Sequence, residues 1–265
     1  MGLKKTDLVF VHSGITGLGR LRGGLRIITD AFKEVLAQGL LVIPTFTYSW
    51  CKGESFNPLT SECPVDVGDY AREAWKDPRF VRSGNPNFSV AVLRNQSTSP
   101  LMSHLLQNGN SCFGKDSVFD RLYEESGRRC SYIMLLGGAH NDVIFRTTFI
   151  HYIEEKIGVP YRYNKAFHNP LNPQETVYQS VRFFSADEYV LVTGKPPVFS
   201  AFPVKADYSC LGHELVIQNL IRIVPFAYSK TRMVPLRDFC NFLEAKLTKI
   251  PSYFVSHADV VETHR

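Results

Sequence analysis

The apolar positions of this chain alternate between short unbroken runs and helical stripes. Leu8–Val11 is a run of the length that a buried strand needs. The loop HSGITGLGRLRGG follows, and then Leu25, Ile28, Phe32, Val35 and Leu36 recur at helical spacing, with Gly39 placed as the stop. Leu40–Ile43 is the next run, closed by Pro44. Strand, glycine loop, helix and strand in that order predict an α/β layered domain. From Tyr48 to Asn87 proline, glycine and asparagine break the pattern, apart from a helical stretch over Asp69–Trp75. An irregular segment of that length in a compact domain points to a site wall. Phe88–Leu93 and Tyr132–Leu136 read as further strands. Ser117–Glu125 reads as a helix opened by a Ser117/Asp120 cap.

A turn is expected at GGAHND (137–142), and a helix starts at Thr147 or Thr148. Beyond Pro160 the periodicity weakens. Extended segments are expected at Val181–Phe184, Tyr189–Val192, Ile221–Val224 and Met233–Leu236, with helices over Leu211–Leu220 and Leu236–Leu247. The expected architecture is α/β/α, with a mostly buried central sheet and a smaller C-terminal part. Residues 1–265 are read as a single domain with a soft internal boundary near 160.

Composition narrows the field. Hydrophobic residues make up 44% of the chain, enough for one large core. No apolar run reaches the roughly 18 residues of a membrane span, and MGLKKTDLVFVH lacks the apolar stretch of a signal peptide. The six cysteines form no C-x-x-C pair, so structural zinc is not expected, and reduced thiols in a cytoplasmic protein are. The net charge of +5 comes from interspersed charges without a basic run, so neither nucleic acid nor membrane is expected as a partner.

Three stretches carry candidate chemistry. HSGITGLGRLRGG lies between a strand and a helix, where backbone N–H groups approach an anion, yet it lacks the G-K-[ST] of a P-loop. Taken alone, it reads as an ordinary βα turn before it reads as an anion site. RSGNPNFS (82–89) sets an arginine and a serine beside a tight turn, fit either to hold an anion or to be a plain surface turn. His151 and Glu154 stand at i and i+3, on one helix face. They are either a core histidine with its neutralising partner or a general base with its orienting acid. Neither H-E-x-x-H nor G-x-S-x-G is present, which argues against zinc protease and α/β-hydrolase chemistry.

Taken in order, these pieces resemble the aminoglycoside 3-N-acetyltransferase family, whose members use coenzyme A. Val11-His12-Ser13-Gly14-Ile15 matches the family's V-H-S-S-L, Gly23-Gly24 its G-G pair, and Pro44-Thr45-Phe46-Thr47 its P-T-F-T. Phe56-Asn57-Pro58 matches F-x-P, Pro64–Gly68 matches P-x-x-x-G, and Arg82–Ser89 matches R-S-x-H-P-x-x-S. Met134–Gly137 and Thr147–Glu154 match the L-L-L-G strand and the N-T-x-x-H-x-x-E helix, and Pro251–Phe254 fits the closing P-x-Y-F. The sequence departs from the family at Asn85, Thr147 and Gly14, where histidine, asparagine and serine are usual.

The resemblance implies acyl transfer from acetyl-CoA, or another acyl-CoA, to the primary amine of a sugar, without a metal. It implies His151 as base, Glu154 as its orienting acid, and Thr47 or backbone N–H groups near Ser13 as the oxyanion donor. It places His12, Ser13, Gly14, Arg82 and Ser83 along coenzyme A, with Asn85 and Asp66 at the acceptor, and it suggests a homodimer. A polycationic acceptor suits a net basic chain poorly, so a nucleotide-linked amino sugar is the expected acceptor. An antibiotic-modifying enzyme is the first alternative. A relative that binds coenzyme A or sugar without turnover, with Asn85 as its mark, is the second.

Overall fold

The central strands are apolar on both sides because helices cover both faces of the sheet. In the computed structural model, which describes residues 1–107, 109–138, 145–256 and 260, β1 (Leu8–Gly14) leads through α1 (Arg26–Val35) to β2 (Leu40–Pro44). Then come α2 (Asp69–Ala74), β3 (Phe80–Arg82), β4 (Val90–Leu93), α3 (Ser99–Leu105), α4 (Val118–Glu125) and β5 (Ser131–Gly137). The chain continues with α5 (Phe149–Ile157), β6 (Arg162–Asn169), β7 (Asn172–Arg182), α6 (Ala186–Thr193), α7 (Leu211–Ile217), β8 (Arg222–Phe226), β9 (Ser229–Pro235) and α8 (Leu236–Lys249).

The main sheet has the order β3-β4-β2-β1-β5-β9-β8. β1 is central and parallel to both β2 and β5, and the outer pairings are antiparallel. Alternate residues of each strand enter different cores. Leu8, Phe10, Leu40, Val42 and Ile133 join one with Phe119, Phe149, Ile153 and Phe239, the side of α4, α5 and α8. Val9, Val11, Leu41, Ile43 and Met134 join the other with Ile28, Phe32, Tyr70 and Ala71, the side of α1 and α2. This is the expected α/β/α layering. Because β1 connects onward to β2 on one side and lies beside β5 on the other, the carboxyl ends of these strands form a topological switch point. Open α/β sheets bind ligands at such a point.

The C-terminal part differs from the expectation in two ways. Tyr189–Val192 is helical, inside α6, not extended. Ser185 caps that helix by accepting from the Glu188 N–H, a local signal that outweighs the β-branched composition. Residues beyond 160 also rejoin the main sheet, since β9 pairs with β5 and α8 packs beneath it. The hairpin β6–β7 forms a sheet of its own. Most of the turn expected at 137–142 lies outside the described residues.

Candidate active site

His151 is held at one nitrogen and open at the other. It lies in the first turn of α5, a helix that buries Phe149, Ile150, Tyr152, Ile153 and Glu154. Its Nδ1 is 2.9 Å from Glu154 Oε2. Glu154 is fully buried. Burial pushes its carboxyl pKa up, but the hydrogen bond from His151 and the charge of Arg162 outweigh that, and the net direction is down. The carboxylate is therefore ionised and only accepts, so Nδ1 carries the proton and Nε2 carries the lone pair. Among the described residues Nε2 takes part in no hydrogen bond, and the side chain is 29% exposed. Phe113 and Tyr208 meet the ring edge-on at 5.7 and 6.0 Å.

The acid is shared more widely than its spacing from His151 reveals. Glu154 Oε1 accepts from the hydroxyls of Tyr161 and Tyr208, each at 2.9 Å, and Oε2 also accepts from Arg162 Nη1 at 3.0 Å. Tyr208 is braced by Phe254 of the closing P-x-Y-F segment, ring to ring at 4.7 Å. Burial lowers the His151 pKa first. The Glu154 contact raises it, and the charge of Arg162 lowers it again, leaving the imidazole below its ordinary value.

His12, at the end of β1, reaches the start of α5. Its Nε2 is 3.0 Å from Thr147 Oγ1 and accepts from the Thr148 N–H at 3.4 Å. Burial pushes its pKa down to about 4. Thr147 thus serves here as a hydroxyl partner to His12. Ser13 stands at the open end of β1, with no side-chain hydrogen bond among the described residues. Gly14 cannot carry the usual serine, because a Cβ there would lie 2.6 Å from Gly138 Cα, where β1 and β5 close together. Its O accepts from Gly138 N at 2.8 Å.

Several expected contacts are turned inward. The Thr47 hydroxyl donates to the Pro86 carbonyl and its N–H bonds Asn87 O. Arg82 donates to Thr45 O and Ser61 O, each at 2.5 Å, and to Ser89 Oγ at 3.1 Å, with Phe56 and Trp75 on its guanidinium. Ser83 Oγ accepts from Val90 N. Arg82 and Ser83 thus tie Thr45, Ser61, Ser89 and Val90 together in the wall. Asn85 Oδ1 accepts from the N–H groups of Asn87 and Phe88 at 3.0 and 2.7 Å, which fixes the turn. That task needs an acceptor and no proton transfer.

Asp66 is exposed, without an ion pair among the described residues, and its charge raises the Tyr48 hydroxyl, already pushed up by burial, to about 12. An aromatic chain from Tyr48 through Phe88 to Phe113 joins this segment to His151. Tyr161, Arg162 and Tyr208 were not singled out by sequence reasoning. Among the described residues no cluster of three or more His, Cys, Asp or Glu side chains could hold a metal ion. No helix there is long and apolar enough to cross a membrane.

Known proteins share this arrangement of elements. Aminoglycoside N(3)-acetyltransferase IX of Micromonospora chalcea is 26% identical over 58% of this chain and 57% of its own length. The chain thus spans less than two thirds of that relative. Among solved structures, AAC-VIa bound to sisomicin superposes with a TM-score of 0.71 at 15% identity, covering 94% of this chain and 93% of that one. AAC-IIIb in a binary complex with CoASH superposes with a TM-score of 0.63 at 20% identity, covering 94% and 92%. At these identities the superpositions establish the fold. The model of the aminoglycoside 3-N-acetyltransferase family matches residues 10–248, which runs from β1 into α8 and includes the His151–Glu154 pair, and the chain therefore belongs to that family.

Proposed function

We propose that this chain is a coenzyme A-dependent N-acyltransferase whose acceptor is a primary amine of an aminoglycoside-class sugar and whose base is His151. The observation that carries the reading is an imidazole held by a buried carboxylate at Nδ1, with Nε2 unengaged among the described residues, on the helix whose start is bonded by His12 from the end of β1. An alkylammonium has no lone pair, so its proton must leave before or during attack. His151 Nε2 accepts that proton, and Glu154 stabilises the charge that forms on the ring. The amine nitrogen forms a C–N bond to the thioester carbon as the C–S bond breaks. The nitrogen sheds its second proton to solvent as the amide forms, and the imidazolium returns its proton to the departing thiolate, which leaves His151 neutral for the next turnover.

The residues around the strand ends fit the donor. Arg20 and Arg22 are exposed beside Gly19, Gly23 and Gly24, which adopt φ of +75°, +95° and +69°. Among the described residues these arginines carry no ion pair, which suits the phosphates of coenzyme A. A Ser13 hydroxyl with no hydrogen bond among the described residues supports a contact to the pantetheine arm or the developing oxyanion.

The nucleotide-linked acceptor expected from net charge has no counterpart among the named relatives, one of which is bound to sisomicin. A global sum of charges does not describe a pocket. Asp66 is an unpaired acid on the Tyr48 side of the aromatic chain that leads to His151. The Asn85 amide oxygen has a structural use in its turn, which supports reading it as a turn residue. Thiol release from acetyl-CoA with a panel of aminoglycosides and nucleotide-linked amino sugars tests the reading. The highest kcat/KM is expected for an aminoglycoside. Preference for a nucleotide sugar, or no release with any amine, would reject it.

A further inference from the structure

The hairpin β6–β7 stands outside the main sheet, yet its first residue enters the site. Arg162 begins β6 and is nearly buried, with a side chain 8% exposed. Its Nε donates to Ser180 Oγ at 2.9 Å and its Nη2 to Ser180 O at 2.6 Å, both on β7, so the hairpin itself fixes the direction of the guanidinium. The remaining nitrogen, Nη1, donates to Glu154 Oε2 at 3.0 Å and lies 3.4 Å from His151 Nδ1. One carboxylate oxygen is therefore bounded by an imidazole N–H and a guanidinium N–H, while the other takes two tyrosine hydroxyls.

In a histidine–carboxylate pair standing alone, the acid orients the ring and also favours its protonated form, which is useless as a base. A fixed cation against the same oxygen separates these effects. We infer that Arg162 is a positioning residue that offsets the charge of Glu154 at the His151 ring, so that the carboxylate orients the imidazole without holding it protonated.

The other groups around the ring agree with this assignment. On α5 itself Glu155 turns to Ser111, and burial raises its carboxyl pKa, which weakens it as a competing negative charge. Arg182 on β7 adds a second positive influence on the ring. Tyr161, Tyr208 and the Cys112 thiol are all pushed above their ordinary values by burial and stay neutral. Arg162 and Glu154 are thus the two fixed charges in hydrogen-bond range of His151, and they have opposite sign.

The inference rests on the proposed role of His151 as base, and its test separates the two. The His151 ring is titrated by NMR on isotope-labelled protein, wild type against Arg162→Met and Arg162→Lys, alongside the pH profile of kcat/KM. Removing the charge is expected to raise the ring's midpoint by about one pH unit or more, with lysine restoring most of the wild-type value. The acid limb of kcat/KM should move by the same amount. An unmoved midpoint overturns the role of Arg162, whatever the activity does. A midpoint that rises while the acid limb stays put upholds Arg162 but removes His151 as the base. If Arg162→Met does not fold, Glu154→Gln is compared with Glu154→Gln/Arg162→Met, which leaves no lone buried carboxylate. The double variant is then expected to titrate higher than the single one, and equal midpoints overturn the inference.

Discussion

His12 and His151 lie at the same end of the sheet, joined through the start of α5, and they are built for opposite purposes. His12 spends its Nε2 lone pair on Thr147 and the Thr148 N–H and has no acid beside it, so burial alone sets its pKa, at about 4. Its ring bridges the end of β1 and the start of α5. His151 donates its Nδ1–H to Glu154 in a hydrogen bond, keeps Nε2 unengaged among the described residues and retains a partner for a positive ring. Burial by itself does not make a histidine functional. What distinguishes the two is which nitrogen is occupied and whether a counter-charge is at hand.

That contrast can be broken most severely at Glu154. Glu154→Ala would leave Arg162 buried without its ion partner and two tyrosine hydroxyls without an acceptor, with an expected loss of about 3–5 kcal/mol in urea unfolding. A loss below about 1 kcal/mol would mean that the network around His151 is no stronger than the one around His12. A second comparison uses pH. The folded pKa of His12 is depressed below its unfolded value near 6.5, so the unfolded chain takes up a proton that the folded chain refuses. Stability should be level above pH 6.5 and fall between about pH 6.5 and 4, by roughly 1–2 kcal/mol over the first 1.5 units. His151, also depressed, adds in the same direction. The His12→Asn variant should show a flatter profile in the same denaturation series, and a wild-type profile that rises on acidification would contradict the assignment. The smallest effect is expected at Thr147→Val, which removes one hydroxyl partner of His12 and should cost about 1 kcal/mol of thermal stability.

Parts of this were legible in the residues alone. β1, β2 and β5 are continuous apolar runs because both their faces are covered, and no turn or polar face obscures them. α1 shows its stripe because one side is exposed. The hairpin β6–β7 was hard to see, since it is largely exposed and its polar residues do not alternate cleanly with apolar ones. The His151–Glu154 pair was visible because its geometry is local to one helical turn. Arg162 is 8 positions from Glu154 on another element, and Tyr208 is 54 positions away, distances over which spacing carries no information. Thr47, Arg82 and Asn85 fell on recognisable motifs, but a motif does not show whether a donor faces the cleft or a carbonyl of its own wall.

The most direct test sets the two histidines side by side: turnover of His151→Asn and His12→Asn by thiol release at saturating acetyl-CoA and aminoglycoside, with coenzyme A affinity measured by calorimetry. His151→Asn is expected to lose roughly 100-fold or more in kcat at near wild-type coenzyme A affinity, and His12→Asn to stay within about tenfold of wild type. Near-normal turnover in His151→Asn, or a larger loss in His12→Asn, would contradict the account.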